Sequence, residues 1–177
     1  MDYKLLENAP LFKDVPPEEI NVMLQCLGTE ERDYDKGETI FHAGDVIHNI
    51  GLVLTGRVQI ENDDVWGNKS VMESVGPGFA FAESYACIPN QPILVDVKTC
   101  EATEILFINV PALFVESNSC GHGAKLIQNL LRVSSRKNIN LFYENFSFCI
   151  KDNQGKTYFL FFGTGFSAGD EQYKNTS

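Results

Sequence analysis

Between Arg32 and Val110 the chain repeats one pattern: short runs of Val, Ile, Leu and Phe, broken by turn residues about every eight to twelve positions. The breaks are Lys36-Gly37, Gly44-Asp45, Thr55-Gly56, Asn62-Asp63-Asp64, Gly67-Asn68 and Gly76-Pro77-Gly78. Between them Ile50, Leu52 and Leu54 alternate, as do Val58 with Ile60, Val71 with Glu73 and Val75, Ile93 with Val95 and Val97, and Ile105 with Phe107. A period of two puts alternate side chains on opposite faces of a sheet, the mark of short half-buried strands. About eight such strands are expected, enough to close a barrel. The fold class is therefore mainly β: an eight-stranded antiparallel jelly roll, a double-stranded β-helix.

Helices flank this region. Asp14 to Leu27 reads as a short helix, with Pro16, Pro17, Glu18 and Glu19 suited to a first turn and Ile20, Met23, Leu24 and Leu27 at helical spacing. Leu11-Phe12 leads in and Gly28 stops it. Asn109 to Ser119 turns the corner, and from about Gly123 to Leu141 one long helix follows. Ile127, Leu130, Leu131, Ser134 and Leu141 share one face of it, with Lys125, Gln128, Arg132, Arg136 and Lys137 on the rest. Such a stripe either packs on its own barrel or pairs with a second copy as a short coiled coil.

Charge and cysteine usage exclude several function classes. A formal charge of −10 over 177 residues argues against nucleic-acid binding by this chain alone, since phosphate contacts need clustered Lys and Arg. Cys26, Cys87, Cys100, Cys120 and Cys149 form no Cys-x-x-Cys pair, so neither a disulfide framework nor a zinc site is expected, and reduced thiols point to the cytoplasm. No leader and no apolar run of about 18 residues is seen, so neither secretion nor a membrane span is expected. His42, His48 and His122 stand apart, giving no metal-ligand spacing, and no catalytic set can be assembled.

The stretch from Gly76 to Lys98 is the candidate ligand site. It opens on Gly76-Pro77-Gly78, mixes small residues with aromatics, holds Glu83 in an otherwise uncharged run, and ends in an alternating strand from Ile93. Small residues beside a lone acid suit a helix start whose amides face a ligand. They equally suit a bulge and one helical turn filling the end of a barrel, with Glu83 capping its own turn.

Taken together, Leu11-Phe12, Lys36-Gly37-Glu38-Thr39-Ile40-Phe41, Gly44-Asp45, Leu54-Thr55-Gly56-Arg57-Val58, Phe81-Ala82-Glu83, Pro92 and Glu104-Ile105-Leu106 resemble the sensor domain of the CRP/FNR transcription regulators over roughly residues 5 to 141. The resemblance implies a jelly roll with an internal small-molecule pocket, and a long helix that makes a homodimer and leads into a winged helix-turn-helix. In cyclic-nucleotide-binding relatives the pocket reads Phe-Gly-Glu and then Pro-Arg-x-Ala, with the acid on ribose and the Arg on the cyclic phosphate. Here Ala82 replaces the Gly, Ile93 follows Pro92, and no Arg or Lys lies between Lys69 and Lys98. A phosphate without a charge-assisted donor loses roughly 2 to 5 kcal/mol. The expected pocket is therefore Phe81, Ala82, Glu83, Ser84 and Tyr85 facing Pro92, Ile93 and Val95. Its effector is unidentified, an acid or a neutral aromatic, and cAMP is not expected to bind in the usual way. No cofactor is identified. The iron-sulfur form of the family needs N-terminal cysteines, and only Cys26 precedes residue 80. Ser134 and Ser135 correspond to positions that reach the pocket in dimeric relatives. The alternative is a stand-alone ligand-binding or protein-interaction module with a structural pocket.

Residues 142–177 depart from the family. Phe142-Tyr-Glu-Asn-Phe-Ser-Phe-Cys-Ile150 and Tyr158-Phe-Leu-Phe-Phe-Gly163 have a period of neither 2 nor 3.6. Read one nucleotide later, the degenerate codons from Phe142 onward can spell Ser-Lys-Thr-Ile-Arg-Gly-Lys-Leu at the place where the family continues into its DNA-binding domain. Lys151-Asp152-Asn153-Gln154 leaves only Lys or Arg, Thr or Ile, Thr or Ile, and Lys or Arg in that frame. The expectation is a frameshift near codon 141 or 142, so that residues 1–141 are a sensor domain and 142–177 a tail of irregular structure, without a DNA-binding domain of its own.

Overall fold

The computed structural model describes residues 3–63, 69–116, 123–145, 148–151 and 157–160. The Gly67-Asn68 turn, Cys120, His122 and the polar end of the tail lie outside the described residues.

The N-terminal part is helical: α1 (Tyr3–Asn8), a 3-10 turn (Pro10–Phe12) and α2 (Pro17–Cys26). Pro17 takes the first helical position of α2, where its missing N–H costs nothing, and Glu18 and Glu19 follow in the first turn. Ile20, Met23 and Leu24 form its buried face. Gly28 at φ 56° ends the helix, and its N–H and that of Thr29 return to the carbonyls of Gln25 and Leu24. Within the expected span the helix begins three residues late, because Asp14 sits at φ 59° and Pro16 is extended.

Eight barrel strands follow: β1 (Glu30–Tyr34), β2 (Thr39–Phe41), β3 (Asn49–Thr55), β4 (Val58–Asp63), β5 (Lys69–Val75), β6 (Ala80–Phe81), β7 (Asp96–Thr99) and β8 (Thr103–Asn109). They form two four-stranded sheets, β1-β8-β3-β6 and β2-β7-β4-β5, paired antiparallel throughout. Gly56 makes the β3–β4 corner at φ 76°, and a Cβ there would fall on the Ala102 carbonyl and Thr103.

The two central strands of the first sheet, β3 and β8, are buried on both faces. Ile50, Leu52, Leu54, Leu106 and Ile108 point away from the barrel and join Leu6, Leu11, Phe12 and Ile20 in one apolar cluster. The alternate residues Val53, Ile105 and Phe107 join Val58, Val75 and Val97 of the second sheet inside the barrel. The two sides of one alternation thus serve two cores, which is why β3 and β8 read as nearly continuous apolar runs.

After β6 comes the single-turn helix α3 (Glu83–Ala86), and after β8 come α4 (Val110–Glu116) and α5 (Gly123–Asn145). Leu126 and Leu130 of α5 are buried in the helical cluster, whereas Leu131 is 67% exposed. The chain divides into two compact units, residues 1–133 and 134–177. In the second, β9 (Phe148–Lys151) pairs antiparallel with β10 (Thr157–Leu160), Phe148 opposite Leu160. The aromatic runs without a period contribute these two strands. No helix among the described residues is long and apolar enough to cross a membrane.

Candidate functional site

The candidate stretch begins where the Gly76–Gly78 turn hands the chain to β6. The Gly78 N–H donates to the Val53 carbonyl at 2.8 Å, and the Val53 N–H donates to the Phe79 carbonyl at 3.1 Å, anchoring the turn on β3. Phe81 then lies opposite Gly51, and the two are matched. A Cβ on Gly51 would fall inside the Phe81 ring, so glycine on β3 is what admits an aromatic at this point of the barrel. Phe81 is fully buried and leads a chain of rings: Phe41 lies 6.2 Å from it and 6.0 Å from Phe107, and Tyr34 lies 6.4 Å from Phe107. Edge-on and tilted packing at such spacings adds to the burial of each ring. Phe41, Phe107 and Tyr34 were not among the expected site residues, although their alternate positions on β2, β8 and β1 carry the signal.

Ala82 occupies the left-handed region at φ 64°, ψ 7°, immediately before α3. This is the position at which the resembled family has glycine, the residue that adopts this conformation freely. An L-residue there costs roughly 1–2 kcal/mol. The next residue, Glu83, is 3% exposed and starts α3, whose amides at Ala86 and Cys87 bond back to the carbonyls of Ala82 and Glu83. Burial, and then the charge of Glu83, push the Cys87 thiol above its ordinary range, which holds it in the protonated, unreactive form. Ser84 is exposed and Tyr85 half-buried.

On the facing side, the expected strand from Ile93 begins only at Asp96. Pro92 has no N–H to give a ladder, and it makes one isolated bridge to Val46. Ile93 is held differently: its N–H donates to the Asp45 carbonyl at 2.8 Å, and its carbonyl accepts from Gly44 N–H at 2.7 Å. The Gly44-Asp45 turn therefore takes both backbone groups that a strand partner would have used. The Ile93 side chain is 1% exposed and packs in the barrel cluster. Of the eight expected pocket residues, Phe81, Ala82, Tyr85, Ile93 and Val95 come together in that cluster. Glu83 is buried beside them, while Ser84 and Pro92 are exposed.

The basic residue nearest in sequence is already engaged. Lys98 pairs with Asp96 at 2.9 Å and Glu61 at 3.3 Å, and all three are only partly exposed. Asp96 also accepts from Ala43 N–H at 2.9 Å, and this bond, followed by that from Lys98, holds its carboxyl below the ordinary value. Two open clefts of about 600 and 480 Å³ lie on the β1–β2 side, lined by Tyr34, Asp33 and Glu38 among others, and neither is lined by the expected pocket residues. Arg32 at this edge binds Glu30 in a two-pronged ion pair and stacks 5.5 Å from the Phe107 ring. Among the described residues no group of His, Cys, Asp and Glu is placed to hold a metal ion. Among the described residues the barrel interior is apolar with Glu83 as its buried carboxylate, and no buried lysine or arginine is there to neutralise a phosphate.

Comparison with known proteins agrees with this architecture. Residues 31–114 match the family described as "Cyclic nucleotide-binding domain". The chain is 31% identical over 78 residues to a cyclic AMP receptor protein of Thermus thermophilus, a stretch that spans 44% of this chain and 35% of that relative. Its fold is similar to the N-terminal domain of a transcriptional regulator from Streptomyces coelicolor, with a TM-score of 0.65, 20% identity and 78% and 94% of the two chains covered. It is also similar to a cyclic nucleotide-binding domain from Methylobacillus flagellatus, with a TM-score of 0.66, 19% identity and 78% and 76% covered. Over residues 31–114 the chain is therefore similar to cyclic nucleotide-binding domains, and it spans about a third of the length of the cyclic AMP receptor protein that it matches. Its two-sheet roll has the fold of the Streptomyces and Methylobacillus domains.

Proposed function

We propose that this chain is the small-molecule-sensing part of a CRP/FNR-type regulator, working in the cytoplasm as a homodimer through α5, and that it does not take cAMP in the usual way. The observation that carries the second half is Ile93. Where relatives place an arginine after the proline, this chain has an aliphatic side chain packed into the barrel core, with its backbone tied to Gly44 and Asp45. An arginine's charge is absent from the slot, and its volume is taken by the core. An effector for this site is a neutral or aromatic molecule that can replace the packing of Tyr85 and Val95, two of the half-buried residues packed against the cluster.

The same filled cluster favours the second reading, a structural pocket in an interaction module. Thermal-shift screening separates the two: an effector at one hundred times its Kd stabilises by about 2.7 kcal/mol and raises the melting point. A panel of aromatic and carboxylic metabolites with no response at millimolar concentration would leave the structural reading.

The tail belongs to the same proposal. Residues 142–177 are an out-of-frame reading of DNA that encodes the lead-in to a helix-turn-helix. The constrained match at Lys151-Asp152-Asn153-Gln154 supports it. Sequencing the locus should find the shifted frame running on into a DNA-binding domain; unrelated DNA there would refute it.

A further inference from the structure

One polar side chain is buried where α5 meets the N-terminal turn. Asn129 is 1% exposed, in a helix whose neighbouring buried residues are Leu126 and Leu130. Its amide group donates twice, to the Leu11 carbonyl at 3.1 Å and to the Lys13 carbonyl at 2.8 Å, and its side-chain oxygen accepts from Arg132 at 3.3 Å. Beside it, Lys125 reaches Asp14 at 3.5 Å.

Hydrophobicity alone leaves the seating of α5 underdetermined. Leu126 and Leu130 form one pair four residues apart, and Ile127 with Leu131 forms a second, one residue further along. Rolling the helix by one residue, about 100°, would exchange the pairs at little apolar cost. It would also put Leu130 where Asn129 stands, and leave the Leu11 and Lys13 carbonyls without a donor. A buried polar group with two specific partners chooses between packings that apolar contacts do not distinguish.

We infer that Asn129 is a positioning residue: by clamping two carbonyls of the N-terminal turn it sets the rotation of α5, buries Leu126 and Leu130, leaves Leu131 outside, and makes the turn and the first half of α5 open and close as one unit. The inference does not depend on whether α5 pairs with a second copy.

Hydrogen exchange on the full chain tests it. In the unmodified protein the amides of Phe12 and Val15 and those of 126–133 share one opening, with protection factors within about threefold of each other and below those of β3 and β8. In Asn129→Leu exchange rises roughly tenfold or more in both segments, while β3 and β8 stay within about twofold. Leu130→Ala, a core cavity one residue away, instead raises exchange in β3 and β8 as well, because Leu52 and Leu106 share its cluster. Protection in the unmodified turn and helix differing by more than about tenfold would overturn the inference. So would an Asn129→Leu protein with unchanged exchange, or with exchange raised equally across the sheets. If Asn129→Leu does not fold, the comparison within the unmodified protein decides.

Discussion

Ala82 holds the left-handed conformation that a glycine would adopt freely, at the hinge between β6 and the buried Glu83. Restoring the glycine removes roughly 1–2 kcal/mol of backbone strain against about 0.5–1 kcal/mol of added unfolded-chain entropy. Ala82→Gly should therefore raise stability by about 0.5–1 kcal/mol, seen as a higher urea midpoint with an unchanged slope. A lower midpoint would mean that the methyl group's packing outweighs the strain. Asp96 supplies a prediction with a pH signature. Its carboxyl is lowered by the Ala43 N–H and then by Lys98, so it contributes stability above the unfolded value of 3.8 and loses it as pH falls through the lower folded value. Asp96→Asn should cost about 1 kcal/mol near neutral pH and progressively less in acid, converging with the parent once both carry an uncharged group. A difference constant with pH would contradict the charge-based account. Of these residues, the change at Ala82 and the loss of charge at Ile93 are visible in the sequence, because both are deviations at marked positions. The Gly51–Phe81 match and the ties of Ile93 to Gly44 and Asp45 are not, since each joins residues about 30 to 50 positions apart that only strand register brings together.

At the scale of elements, period-two alternation announces β3, β4, β5 and β8, and helical spacing announces α2 and α5. The two-residue β6, the single turn of α3 and the six residues of α1 are too short to show a period. The strand expected from Ile93 starts three residues later, because a proline and a competing turn remove its first partners. On α5 the expected dimer face separates into two parts: Leu130 lies in the chain's own core, while Ile127 is partly buried and Leu131 exposed. This sharpens the test of pairing. Ile127→Glu with Leu131→Glu should convert a dimer to a monomer in sedimentation velocity and leave the barrel folded. Leu130→Glu should unfold the protein whatever its oligomeric state, since it buries an unpaired charge. An unchanged sedimentation coefficient in the Ile127, Leu131 double variant would remove α5 as the dimer seam.

For the whole molecule, the barrel has the fold of cyclic nucleotide-binding domains, and its interior is occupied by its own side chains. Phe81, Ile93, Val97, Ile105 and Phe107 form one buried cluster, and the acidic chain places its nearby lysine in an ion-pair network on the sheet. On the reading proposed above, a cyclic phosphate has to displace Ile93 and finds no guanidinium in its place, a combined loss of several kcal/mol relative to an arginine-bearing site, roughly a thousandfold in affinity. Titration calorimetry of the purified chain with cAMP up to about 1 mM measures this directly. The account predicts no saturable heat over that range. A one-site isotherm with a micromolar Kd would contradict it, and would mean that the chain neutralises the phosphate with groups other than an arginine after Pro92.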